Sequence, residues 1–166
     1  MAEETVWRGT SSQWKNFGRF VVSTIGCIIV IVLSILCARA PDANVAKLAP
    51  FVLVLLIVPI FMALARYLQT KNKIYELTSE RLKITEGVFS KATDTLELYR
   101  VKDMETRQPF TYRMVGLENV HINTSDTSTP FVLVDAIPAR VAFADKLRNA
   151  VEAIRAQKGV REIDIE

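Results

Sequence analysis

His121 is the single histidine of this 166-residue chain, and Cys27 and Cys37 are its two cysteines. Proton shuttling, nucleophilic attack and metal binding draw first on these side chains, so their number and placement bound the chemistry open to the chain. A hydrolytic triad would need His121 as its base. That residue lies between Val120 and Ile122, on the outward face of an alternating strand, with no evident partner. Both cysteines fall inside an uncharged apolar run and read as small hydrophobes. No His/Cys cluster has metal-ligand spacing, the carboxylates are scattered singly, and none of the six glycines stands in a GxGxxG or Walker arrangement. The inventory predicts a chain that is not an enzyme and that uses no cofactor or metal.

Two groups of cations remain as candidates for binding. Arg66, Lys71 and Lys73 follow a long apolar run, and Arg81 and Lys83 sit in the hairpin just beyond it; these five are candidate contacts for anionic lipid headgroups. Glu76, Glu80 and Glu86 intervene, so cations placed only by membrane topology are the plainer reading. The second group is Tyr99, Arg100, Lys102, Arg107, Phe110, Tyr112 and Arg113. Arginine and aromatic side chains dominate interface hot spots, which makes this group a candidate protein interface, with ordinary barrel exterior as the alternative.

The elements that position these residues begin with two apolar runs. Phe20–Ala38 and Leu48–Ala65 carry no charge, and each approaches the roughly 20 residues a helix needs to cross a hydrocarbon core. Residues 20–68 are therefore expected to form a two-helix transmembrane hairpin with its turn at 39–47. The small residues Ala38 and Ala40 around Arg39 resemble a signal cleavage site, but Pro41 and the immediate second run favour a retained helix. No Asp, Glu, Lys, Arg or His lies inside either run, which speaks against transport by the hairpin alone. Ser23, Thr24, Gly26 and Ser34 can support helix contact, and Pro59 predicts a kink.

Before the hairpin, residues 1–19 interleave Trp7, Trp14 and Phe17 with Arg8, Lys15 and Arg19 and read as an interfacial cytoplasmic segment. Cations flank the outer ends of the runs more densely than the turn, so both termini are expected in the cytoplasm. Residues 1–70 hold 6 Lys+Arg against 3 Asp+Glu, whereas residues 71–166 hold 15 of each. A neutral C-terminal part argues against nucleic acid as a partner.

From Lys73 the pattern alternates. Tyr75 and Leu77, then Leu82 and Ile84, mark two strands around a turn at Ser79–Arg81, which is expected near the bilayer. Gly87 permits a bend, Leu96 and Leu98 continue the sheet, and the phase slips near Tyr99–Arg100, predicting a bulge or corner. Gln108-Pro109 ends that strand, and Phe110–Gly116 is a short connection. Val120 and Ile122 face inward, NTSDTSTP forms a loop, and the run Phe131–Val134, apolar on both faces, suits a central strand. Phe143, Leu147, Val151 and Ile154 then line one face of a C-terminal helix that Gly159 would stop.

Strands followed by one amphipathic helix is the plan of a pleckstrin-homology (PH) barrel. The segments YELTSERLKITEGVFSK, LELYRVKDMETRQP and GLENVHIN, in that order behind a membrane hairpin, resemble the bacterial PH-like membrane proteins of the YdbS-like family over roughly residues 17–157. The marks are Tyr75-x-Leu77-Thr78-x-x-Arg81-Leu82-x-Ile84 with Gly87 downstream, and Arg100-Val101-x-Asp103. Glu118 stands where that family often has a second glycine after Gly116. The resemblance implies a binding or scaffolding module rather than a catalyst.

The expected architecture is a transmembrane α-helical hairpin joined to an α+β PH-like barrel at 71–158, with a tail at 159–166. The expected role is a non-catalytic adaptor, scaffold or accessory subunit of a complex in the bacterial inner membrane, multi-pass, with a membrane-protein partner or further copies of itself. An anionic-lipid sensor is the alternative.

Overall fold

The computed structural model describes residues 4–158. The expected tail at 159–166, and the stop at Gly159, lie outside the described residues. The chain divides into two compact units, one formed by residues 13–68 and the other by residues up to 12 together with those from 69 onward.

The first unit is helical. Helix α1 (Phe17–Ala38) is followed by a single turn, α2 (Ala43–Ala46), then α3 (Ala49–Val54) and α4 (Ile57–Lys71). Asp42 caps α2 by accepting from the Asn44 N–H at 2.8 Å. The break between α3 and α4 is the expected proline kink. Pro59 has no N–H to give the Leu55 carbonyl, and the Val58 N–H takes that carbonyl at 3.2 Å instead. Side chains fasten α1 to the returning segment at both ends: Gln13 Nε2 donates to the Tyr67 carbonyl at 3.0 Å, and Ser34 Oγ donates to the Ala49 carbonyl at 3.0 Å. Between them Gly26 lies against Pro59, where a Cβ would meet the ring at an ordinary 3.6 Å. Thr24, by contrast, bonds back to the Phe20 carbonyl of its own helix. The outward side chains, among them Val22, Ile28, Phe51, Ile57 and Phe61, remain exposed. Gln13–Ala38 and Ala43–Lys71 are each long and apolar enough to cross a membrane.

The second unit is an antiparallel sheet structure closed by a helix, the PH-like plan. Four strands, β1 (Thr5–Thr10), β2 (Ile74–Thr78), β3 (Arg81–Glu86) and β4 (Ala92–Glu97), pair in sequence order. A 3₁₀ turn at Leu98–Arg100 makes the corner expected from the phase slip, and β5 (Val101–Arg107), β6 (Leu117–Thr124) and β7 (Phe131–Pro138) form the second sheet. A short helix, α5 (Phe110–Met114), connects β5 to β6, and α6 (Phe143–Lys158) ends the described chain.

The core follows from the alternation. Tyr75, Leu77, Leu82 and Leu98 are fully buried, as are Val120, Ile122 and Val134 from the second sheet. Phe143, Leu147, Val151 and Ile154 of α6 close over them at spacings of four, four and three, one stripe of the helix.

Two expectations fail in this unit. Residues 5–10 lie in the interfacial segment read at 1–19, yet they form β1, with Trp7 packed edge-on to Phe143 at 4.9 Å between ring centroids. An indole that finds an apolar partner in the core is better placed there than in headgroups. β7, expected as a central strand, pairs only with β6 and is an edge; Phe131 stays exposed and β6 is the strand flanked on both sides.

Candidate functional site

The registers bring one end of the first sheet into focus. Thr10 pairs with Ile74, Ile74 with Thr85, and Thr85 with Thr93, so four strands share one row. At this row the chain leaves β1 for the helical unit and re-enters at β2. The helical hairpin is thus an insertion between two neighbouring strands of one sheet.

A polar cluster fastens that exit. The Ser12 N–H donates to the Ala136 carbonyl at 2.8 Å, tying the end of β1 to β7. On β7 a bulge sets Asp135 and Ala136 against the single residue Asn119 of β6, and Ala136 takes φ 51°. The Asn119 side-chain oxygen accepts the Ala136 N–H at 2.8 Å, satisfying a donor that the ladder abandons. The bulge turns the Asp135 carboxylate toward β1 and β2. There it accepts from Ser11 Oγ at 2.6 Å and from the Tyr75 hydroxyl at 2.5 Å, while the Asp135 N–H donates to that hydroxyl at 3.2 Å. Hydrogen bonds to a charged group contribute about 1.5–3 kcal/mol each. Burial first, then the Asp135 charge, drives the Tyr75 hydroxyl well above its ordinary titration. A phenol held so firmly protonated acts as a donor and a clamp, which locks together the two strands flanking the insertion.

The same sheet end carries the turn between β3 and β4. Gly87 takes φ 122°, and a Cβ there would collide with the Ser90 carbonyl oxygen, so the tight turn depends on glycine. Phe89 at its tip is fully exposed. Beside it, Lys73 pairs with Glu86 at 3.4 Å and lies over the Tyr75 ring.

Within the sheet unit, the cations expected at lipid headgroups stand at different positions. Arg66 and Lys71 belong to α4, and Lys73 stands at the exit row. The turn at Ser79–Arg81, expected near the bilayer, is at the opposite end of the sheet from that row, because β2 runs away from it before turning. There Arg81 Nε lies 3.0 Å from Glu97, and Lys83 sits mid-sheet opposite Glu76.

The interface candidates divide likewise. Tyr99, Arg100 and Lys102 stand at one end of β5, and Arg107 at the other, roughly 20 Å away along the strand, with Phe110, Tyr112 and Arg113 following it on α5. Arg100 donates to Asp126 at 2.7 Å and to the Tyr99 hydroxyl at 3.2 Å. Arg107 makes a two-pronged pair with Glu105 at 2.7 and 2.8 Å. On α5, Phe110 and Met114 are one turn apart and exposed together. His121 lies 5.5 Å from the Phe131 ring, its place on the strand as expected. Among the described residues no group of His, Cys, Asp and Glu is arranged to hold a metal.

Between the free edges of β4 and β7 runs a groove of about 490 Å³, with Ile84, Leu96 and Leu133 in its lining and Lys73, Asp94 and Asp126 at charged positions. Two strand edges along a groove of mixed polar and apolar lining offer backbone groups to an extended segment.

Ser11, Asp135, Asn119 and Phe89 escaped the sequence reading. Gly87 signalled a bend, but a lone Phe at a turn tip and a bulge made by a non-glycine residue leave no short-range pattern.

The profile of the bacterial PH domain family matches residues 17–155. A solved structure, the Vps36 N-terminal PH domain, is 21% identical over 54% of this chain and 68% of that chain, with a TM-score of 0.41. No curated protein matches.

Proposed function

The chain belongs to the bacterial PH domain family, and on that premise we propose that it is a non-catalytic adaptor or accessory subunit held at the cytoplasmic face of the bacterial inner membrane. One observation carries this reading: β1 and β2 are hydrogen-bonded neighbours, yet the two apolar helices lie between them in the chain. A hairpin that spans the bilayer twice returns to the side it left, and the strand pairing requires that return. The barrel is then tethered at two adjacent points instead of hanging from one linker. Such a double tether limits how far the barrel can tumble and keeps its faces at a set height for a partner.

The exposed apolar sides of the hairpin are surfaces for lipid and for a membrane-protein partner or further copies of this chain. The Ser11–Tyr75–Asp135 cluster reads as a structural clamp, which supports a non-catalytic role. For anionic-lipid sensing, the place of Arg81, at the sheet end opposite Lys73 and paired with Glu97, is unfavourable.

The reading is tested by gentle extraction of the tagged full chain in native lipid particles, with sizing and mass spectrometry of what co-elutes. A stoichiometric membrane protein, or a defined assembly of this chain, supports the adaptor role. A monomer that carries nothing in every mild extraction removes it.

A further inference from the structure

Of the features that the proposed role leaves unused, the turn between β3 and β4 is the most purposefully built. Phenylalanine is among the side chains most often fully buried in folded proteins. Phe89 is fully exposed, and the turn that presents it adopts a backbone conformation open only to Gly87. Its direction is set by the strand register. Thr10, Ile74, Thr85 and Thr93 lie in one row, so the turn projects from the sheet end at which the chain departs for and returns from the hairpin. The link from Thr10 to Trp14 is four residues, at most about 14 Å when extended. Trp14 and Phe17, stacked at 4.8 Å between centroids, begin the apolar helix and mark an interfacial level. Lys73 and Lys91 flank the turn, the pairing of cation and aromatic that suits headgroups above and acyl chains below.

We infer that Phe89 is a membrane wedge: the turn 87–91 dips into the headgroup region of the bilayer that holds the hairpin, burying the ring among lipid and fixing the tilt of the barrel. The occupant of this surface is lipid, not protein, because the tip is a single aromatic on a narrow turn without the surrounding apolar area of a protein interface. With the two chain connections, Phe89 supplies a third point of support, and three points define a plane where two define only a hinge. The inference rests on the hairpin spanning the membrane.

The test uses the full chain with Cys27 and Cys37 replaced by serine, reconstituted in vesicles of phosphatidylethanolamine and phosphatidylglycerol. Single cysteines are placed at Phe89→Cys, Glu80→Cys at the opposite sheet end, and Ile28→Cys within α1, and each is labelled with a polarity-sensitive fluorophore. Nitroxide lipids then serve as quenchers. The wedge predicts blue-shifted emission at 89 that loses most of its intensity to a shallow nitroxide, water-like emission at 80, and quenching at 28 by a deep nitroxide. Quenching at 28 with water-like emission at 89 overturns the wedge and leaves the spanning hairpin intact. Blue-shifted emission at 89 that lipid nitroxides do not quench also overturns it, in favour of a protein contact. Absence of quenching at 28 removes both readings together.

Discussion

The Tyr75 hydroxyl donates to the Asp135 carboxylate at 2.5 Å, joining the first residues after the helical insertion to the edge strand of the second sheet. Ser11 Oγ reaches the same carboxylate, so one acidic side chain holds the last residues before the insertion as well. Replacing Tyr75 by phenylalanine is expected to lower barrel stability by about 1.5–3 kcal/mol, the contribution of a hydrogen bond to a charged group. Denaturant unfolding of the full chain in detergent, followed by Trp7 fluorescence in a Trp14→Phe background, reads the loss directly.

The same hydroxyl makes a prediction in pH. Its folded-state titration is raised above the ordinary value of 10.0, because burial and the Asp135 charge both oppose the phenolate. The unfolded chain therefore releases this proton first. Stability attached to Tyr75 is full below about pH 10 and declines above it. Tyr75→Phe should show a shallower alkaline decline than the parent chain, and parallel curves would refute the assignment.

Glu118 is buried, and its carboxyl is raised above the ordinary value of 4.5, chiefly by that burial, with Asp145 adding to it and the hydrogen bond from Gln108 opposing it. A raised acid contributes its stability below the unfolded titration and loses it as pH climbs through the folded one. Glu118→Gln should thus stabilise the barrel at pH 7, within about 1 kcal/mol. The gain should vanish near pH 4, where both side chains are neutral; equal effects at the two pH values would contradict this.

Gly87→Ala sets a methyl against the Ser90 carbonyl at a φ that only glycine adopts freely. A strain of about 1–3 kcal/mol is expected. It should appear as faster amide exchange in the β3–β4 turn, with β6 protection unchanged.

If the hairpin spans the bilayer as proposed, the pairing of β1 with β2 sets both of its ends on one side. In a background with Cys27 and Cys37 replaced by serine, cysteines introduced at Glu4 and Ser128 should react with an impermeant reagent from one face of sealed vesicles, and a cysteine at Asn44 from the other. Labelling of all three from one face would exclude a spanning hairpin.

Much of this fold was legible because its signals are local. Tyr75, Leu77, Leu82 and Ile84 alternate, the slip at Tyr99–Arg100 marks the corner, and Phe143 to Ile154 recur at helical spacing. β1 was not read, since Trp7 beside Arg8 has the composition of a membrane interface and its partner strand lies beyond the entire hairpin. The alternation was nevertheless present: Trp7 and Gly9 share a face, and Gly9 leaves room for the indole to lie over it. The edge position of β7 escaped because an apolar run records burial, while neighbour order in a sheet is decided by distant chain. The Asp135 clamp was illegible for a related reason, since it depends on a bulge that no residue type announces.

The insertion between β1 and β2 also has a consequence for biogenesis. β1 is made first, but its partner strand β2 begins at Ile74, beyond both helices, so the early strand waits until they have been synthesised. Closing so long a loop by random search is slow, whereas a hairpin settled in the bilayer brings its two ends together. On the proposed spanning hairpin, barrel completion would then depend on membrane insertion, and β1 would stay an open strand edge until the second helix has returned the chain to its side.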